Sequence, residues 1–250
     1  MKMYDELILT LMILVGAAFI PSLVYLVWVR NTEKYGRKSW TQVMTTFVWG
    51  GGLGVIMAVI LSLLFVGVIS LPGLQREYVF LEDQTVQTLI IVCIIAPFVE
   101  ELTKVMGVYT VKGGLTDKES GLVFGAACGL GFAATENLLY EGSTYAAEGF
   151  GAAFISIVLV RSIASTLLHG SASAVAGYGI TKGKFEGTHS FLPYYLIAVF
   201  MHGAFNFLAS INLWYTGRMS LLALIAAVLF AVFSMRFVRK KIIKLDRGKV

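Results

Sequence analysis

Charge is scarce in this chain. Only 14% of its 250 residues are Asp, Glu, Lys or Arg, against 57% hydrophobic, where a soluble domain carries about 25% charged residues. With a mean hydropathy of +0.79, that shortage excludes an ordinary soluble protein and implies a polytopic membrane protein. Cysteine is nearly absent. Cys93 and Cys128 both fall inside apolar runs with no CxxC spacing, so neither a disulfide nor a thiolate metal site is expected. Strand alternation, internal repeats and low-complexity linkers are missing too, which leaves one membrane domain over residues 1–250. The net charge is +5, but the basic residues lie between apolar runs, where they orient a membrane protein, so no nucleic-acid partner is expected.

Seven apolar segments approach the ~20 residues that cross a bilayer core: roughly 7–29, 43–70, 87–111, 120–140, 152–180, 191–213 and 219–237. A spanning segment must satisfy its own backbone, so the predicted fold class is all-α, a bundle of about seven transmembrane helices. The run Leu7–Val29 exceeds the 7–15 residues of a signal-peptide apolar region and is read as a retained helix. Fifteen Lys and Arg residues sit after the first, third and fifth segments and in the tail, against Lys2, Arg76 and Arg218 on the other side. The positive-inside rule then puts the N-terminus outside and the C-terminus in the cytoplasm. The cationic tail is expected to anchor that topology and to attract anionic lipid. The acidic, aromatic connection around 71–86 is read as a solvated loop, with a surface amphipathic segment or lid as the alternative.

Against this apolar background a few ionisable residues stand out: Glu100, Glu101, Lys104, Glu136 and Arg161, with His169 and His202. A charge at mid-membrane costs about 2.5–3.5 kcal/mol, so such groups must be paired, protonated or hydrated, and they mark functional sites. Glu100 and Lys104 share a helix face at i,i+4, and Glu101 reaches Lys104 at i,i+3. The two glutamates diverge by about 100° around the axis, so one can brace a neighbouring helix while the other faces a cavity as a general base. Pro97 is expected to kink this helix and admit water. The alternative is a structural ion pair bolting two helices together. Glu136 and Asn137 end a stripe of small residues at 125, 129 and 133, which permits close helix contact; Gly131 is read as adding flexibility. Arg161 is read as a counter-ion to a buried glutamate or a snorkelling residue. His202 and Asn206, at i,i+4, can aim two donors at one point, as an oxyanion hole requires. By helix position, His169 is expected to lie on the cytoplasmic side of Glu100, Glu101 and His202, with Glu136 toward the outside.

Four helices thus each carry inward polar groups, within about residues 87–213. The set EExxK (Glu100, Glu101, Lys104), FxxxEN (Phe132, Glu136, Asn137), His169 and HxxxN (His202, Asn206) resembles the PrsW family of membrane proteases. More distantly it resembles the CAAX prenyl endopeptidases and bacteriocin-processing enzymes, which carry EExxxR and FxxxH instead. The resemblance implies glutamate-dependent peptide hydrolysis and a membrane-anchored protein substrate, such as an anti-sigma factor cut at site 1. Glu100, Glu101, Glu136, His169, His202 and Asn206 are the candidate catalytic residues; Lys104, Phe132, Asn137 and Arg161 support them. No cofactor is favoured. Zn²⁺ held by Glu101, Glu136, His169 and His202 is the alternative, although HExxH is missing. A proton- or cation-coupled transporter would also use buried carboxylates and histidines, but it should often show inverted repeats, and none is visible.

Overall fold

The computed structural model describes residues 2–249, with side chains from Tyr4 onward; Met1, Val250 and the side chains of Lys2 and Met3 lie outside the described residues. Among those described there is no strand. Seven long helices run up and down: α1 (Lys2–Arg30), α2 (Trp40–Ile69), α3 (residues 84–106), α4 (Lys118–Glu148), α5 (Ala152–Glu186), α6 (Phe191–Ala209) and α7 (Arg218–Arg247). By length and composition α1, α2, α4, α5, α7 and the stretch Phe191–Leu213 that contains α6 can each cross a membrane. The remaining helix, α3, carries Glu100, Glu101 and Lys104. Several helices outrun the apolar segments read from the sequence, because polar turns continue their hydrogen-bond ladders past the hydrocarbon limit. The third segment is the exception: α3 ends at Met106, and a 3₁₀ stretch follows over Gly107–Gly114.

The centre of the bundle is the pair α4 and α5, buried over most of Glu119–Ala134 and Thr166–Thr181. Lipid tails supply no hydrophobic drive between helices, so close backbone packing must hold them. Glycine makes it possible. A Cβ at Gly121, Gly125 or Gly129 would collide with the carbonyl oxygens of Gly177, Ser173 or His169 on α5. Gly131 meets the Phe47 carbonyl of α2 in the same way, and Gly50 of α2 meets that of Cys128. The role of Gly131 is therefore close approach, not flexibility.

Three π-helical turns interrupt the bundle: Gly50–Gly54 in α2, Ile91–Ile95 in α3 and Arg161–Ser165 in α5. Such turns recur at functional sites. The one in α3 precedes Pro97, whose ring has no N–H and crowds the turn before it. The expected Pro97 kink thus takes the form of a widened turn, and α3 continues through it. A carbonyl freed there, that of Val92, accepts a hydrogen bond from Asn206 Nδ2 at 2.9 Å, and Gly203 lets α6 lie directly on the Cys93 carbonyl.

Residues 72–82 are two short helical turns, Pro72–Glu77 and Val79–Glu82, with Leu81 buried. The solvated-loop reading gives way because Pro72 pre-sets the first turn and Asp83 caps α3 through Thr85 and Val86 N–H. At the opposite end the connections are tied together. Asp246 of α7 accepts from Lys34 N and Gly36 N at 2.6 and 3.1 Å, and Lys38 Nζ lies 2.7 Å from Asp117. Burial pushes the Glu33 carboxyl up to about 7. Burial acts the same way on Asp117, but hydrogen bonds from Lys249 and Lys38 outweigh it and bring that group down to about 2.

Because the α4–α5 contact leaves no room for a side chain, Gly129→Val is expected to cost about 2–3 kcal/mol. Thermal unfolding in detergent should show the loss, whereas Gly142→Ala, with nothing near its Cβ, should be nearly neutral.

Candidate active site

Lys104 is fully buried, and its ammonium is the hub of the site. Nζ lies 3.0 Å from Glu100 Oε2, 2.9 Å from Glu101 Oε1 and 2.7 Å from His169 Nδ1. An ammonium has three N–H donors and no acceptor, and these three contacts use all of them. The same ammonium sits over the Phe132 ring at 4.1 Å. His169 stacks on that ring, and its Nδ1 must accept, so its proton is on Nε2. That atom lies 2.9 Å from Glu136 Oε2.

The two glutamates part company. Glu101 is 0% exposed. Its Oε1 accepts from Lys104 and from His202 Nδ1 at 3.0 Å, and its Oε2 accepts from Ser173 Oγ at 2.8 Å. This carboxylate ties α3 to α5 and α6. Glu100 is 12% exposed, and its Oε2 lies 3.9 Å from His202 Nε2 and 4.0 Å from His169 Nδ1. Since His202 Nδ1–H donates to Glu101, the lone pair of His202 is on Nε2, toward Glu100.

Glu136 belongs to a second layer. Arg161 Nη2 lies 2.8 Å from Glu136 Oε2, an ion pair off the line of a directed hydrogen bond. Arg161 Nε donates to Asn137 Oδ1, and Asn137 Nδ2 to Thr166 Oγ1. Tyr140 lies against the guanidinium at 3.8 Å. Three carboxylates (Glu100, Glu101, Glu136) thus face two permanent cations (Lys104, Arg161), one negative charge in excess, which a proton or a cation can balance.

Glu136 and His169 line a cavity of about 340 Å³, together with Arg161, Tyr140 and Asn206. The other lining residues include Thr88, Ile157, Leu213 and Leu224, near the start of α3, α5 and α7 and just past α6. All belong to the end opposite the basic connections.

Several expectations change. His169 is level with Glu136 and His202, not on the cytoplasmic side, because α5 runs on to Glu186 and His169 falls at its middle. The carboxylate that joins the histidines as a possible metal set is Glu100, not Glu101: ligand atoms of Glu100, His169 and His202 lie within 4.8 Å of one another, whereas Glu101's oxygens are taken. Asn206 lines the cavity but spends one N–H on Val92 rather than pairing with His202. Ser173, Thr166 and Tyr140 join the site without having been expected from the sequence; nothing in their spacing singles them out. The Trp49 Nε1–H bond to the Thr103 carbonyl carried no sequence signal either.

Removing one partner of a buried ion pair leaves an uncompensated charge, worth about 3–5 kcal/mol. Glu101→Leu should therefore destabilise by that much, while Glu100→Gln, at the partly exposed edge of the cluster, should shift unfolding by less than about 1 kcal/mol.

A sequence profile described as "PrsW family intramembrane metalloprotease" matches residues 38–235. "Protease PrsW" of Clostridioides difficile (strain 630) is 27% identical over 203 residues, covering 78% of each chain. No solved structure matches. The profile spans most of the chain and all four polar helices, and this multi-pass membrane protein therefore belongs to the PrsW family of intramembrane proteases.

Proposed function

We propose that this chain hydrolyses a peptide bond of a membrane-anchored protein, with Glu100 as the base that activates water. One observation carries the reading: ligand atoms of Glu100, His169 and His202 lie within 4.8 Å of one another, and His169, with Glu136, lines a cavity of about 340 Å³ at one end of the bundle. Glu100 Oε2 and His202 Nε2 are 3.9 Å apart, a gap that a single water can bridge. Glu100 takes that water's proton as its oxygen attacks the scissile carbonyl. His169 Nε2–H, which lines the cavity, and the second N–H of Asn206 are the donors available to the oxyanion. The proton on Glu100 then passes to the leaving nitrogen. Glu101 and Ser173 hold His202 and Lys104 in place, and Arg161 with Asn137 holds Glu136.

The cavity lies at the end opposite the basic connections, and the positive-inside rule makes that end extracytoplasmic, with the N-terminus outside. A cut there suits site-1 cleavage of a membrane-anchored anti-sigma factor, the substrate class implied by the family resemblance.

A second reading has its own observation. Glu100 Oε2, His169 Nδ1 and His202 Nε2 form a two-histidine, one-carboxylate set of the type that holds catalytic zinc. Glu101 behind His202 Nδ1 supplies the outer carboxylate such ligands use. The set fits in type and spacing, with Lys104 competing for His169 Nδ1. A divalent cation held there would lower the pKa of its bound water and so supply the nucleophile.

Purified protein should cleave a reconstituted single-pass substrate, and Glu100→Gln should lose nearly all turnover while remaining folded. Asn206→Ala should lose about 10²–10³ in rate if its N–H meets the oxyanion. Undiminished cleavage by Glu100→Gln would remove the general-base proposal. Activity that survives exhaustive chelation, with no metal found by elemental analysis, favours the glutamate route; loss restored by Zn²⁺ favours the metal one.

A further inference from the structure

A second cluster of carboxylates lies at the basic end, far along the helices from Glu100. Glu33 follows α1, Asp117 and Glu119 stand at the start of α4, and each offers an oxygen within 4.8 Å of the others. Asp246 of α7 joins them through Lys249, 4.0 Å away. Glu33 and Glu119 are 0% and 2% exposed. Among the described residues, four carboxylates here face two ammonium groups, Lys38 and Lys249, so two negative charges are unmatched once all four carboxylates are ionised.

The ammonium groups do not satisfy the cluster. Lys38 Nζ gives its hydrogen bonds to Thr116 and Asp117 and stays 3.8 Å from Glu33 Oε1. Glu33 Oε2 accepts from Lys38 N at 3.0 Å, but its buried Oε1, aimed into the cluster, accepts no hydrogen bond among the described residues. Lys249 contacts Asp117 Oδ2 at 2.8 Å and also Glu119 Oε1. Its side chain is 26% exposed, so it can swing out into water.

We propose that Glu33, Asp117 and Glu119 form a site for a hard divalent cation, Mg²⁺ or one of its relatives Mn²⁺ and Ca²⁺, taken up in exchange for the Lys249 ammonium. The donors are all carboxylate oxygens, which suits these ions and not a soft transition metal. With Lys249 displaced, the three ligating carboxylates and the Lys38 ammonium carry a net charge of −2, which a 2+ ion cancels while giving Glu33 Oε1 the partner it lacks. The site also sits where three separate segments meet: the α1–α2 connection, the start of α4 and the end of α7. Cation binding therefore replaces the flexible lysine clasp from the end of α7 with a rigid cross-link between the α1–α2 connection and the start of α4.

The experiment uses full-length Glu100→Gln protein in detergent, stripped with EDTA, so that the donor set around His169 and His202 does not contribute. Mn²⁺ should bind at one equivalent by electron paramagnetic resonance, and Mn²⁺, Mg²⁺ or Ca²⁺ should raise the unfolding temperature saturably. Adding Lys249→Ala removes a competing positive charge and should tighten Mn²⁺ binding about tenfold or more. Adding Glu33→Gln or Glu119→Gln should abolish both signals. The proposal is overturned if Mn²⁺ binding is absent from the Lys249→Ala protein, if its affinity there is unchanged or weaker, or if binding survives both carboxylate substitutions. Should the carboxylate variants fail to fold, the Lys249→Ala comparison alone decides.

Discussion

The ammonium of Lys104 sits where no water reaches it and is shared among Glu100, Glu101 and His169. Everything else in the site is arranged by that sharing. Because all three donors are engaged, His169 is fixed as an acceptor at Nδ1, and its proton sits on Nε2, close to Glu136 but in no hydrogen bond with it. Because Glu101 takes Lys104 and His202 on one oxygen, His202 presents its bare Nε2 to Glu100. One buried charge thus sets the tautomers of two histidines on two different helices. The cost of burying it explains why partners converge from α3, α5 and α6: each must contribute, or the cluster would be unstable in hydrocarbon.

The packing of the bundle serves the same end. Gly121, Gly125 and Gly129 bring α4 and α5 into backbone contact, which places Phe132 under both His169 and Lys104. The π turn in α3 and the glycine in α6 let Asn206 reach the Val92 carbonyl. Substituting these positions should therefore disturb chemistry and stability together, even though none of them touches the reacting atoms.

Much of this was legible in the sequence. Scarce charge and long apolar runs gave the helical membrane class, and the few ionisable residues inside those runs stood out because each is so costly. That Glu100, Glu101, Lys104, Glu136, His169 and His202 meet in space followed from economy: one shared cluster satisfies all of them. The split between Glu100 and Glu101 was half legible. Helix geometry showed that they diverge, but only the neighbours Ser173 and His202 decide which one is enclosed. The height of His169 was misjudged because helix length was read from apolar length alone. The clasp of Glu33, Asp117, Glu119 and Asp246 gave no signal at all. Its members are ordinary charged residues near connections, and only the fold assembles them.

If the Lys104 cluster is a hydrolytic centre and not a mere bolt between helices, stability and cleavage must separate. A double-mutant cycle between Lys104→Met and Glu101→Leu, read by unfolding and by cleavage on the same samples, makes that separation visible. The expected result is that each single variant loses stability, that the double variant recovers much of it, since a neutral apolar pair can replace a buried ion pair, and that cleavage stays lost throughout. Recovery of cleavage along with stability would mean that the ion pair only holds helices together, and it would contradict the assignment of this cluster as the active site.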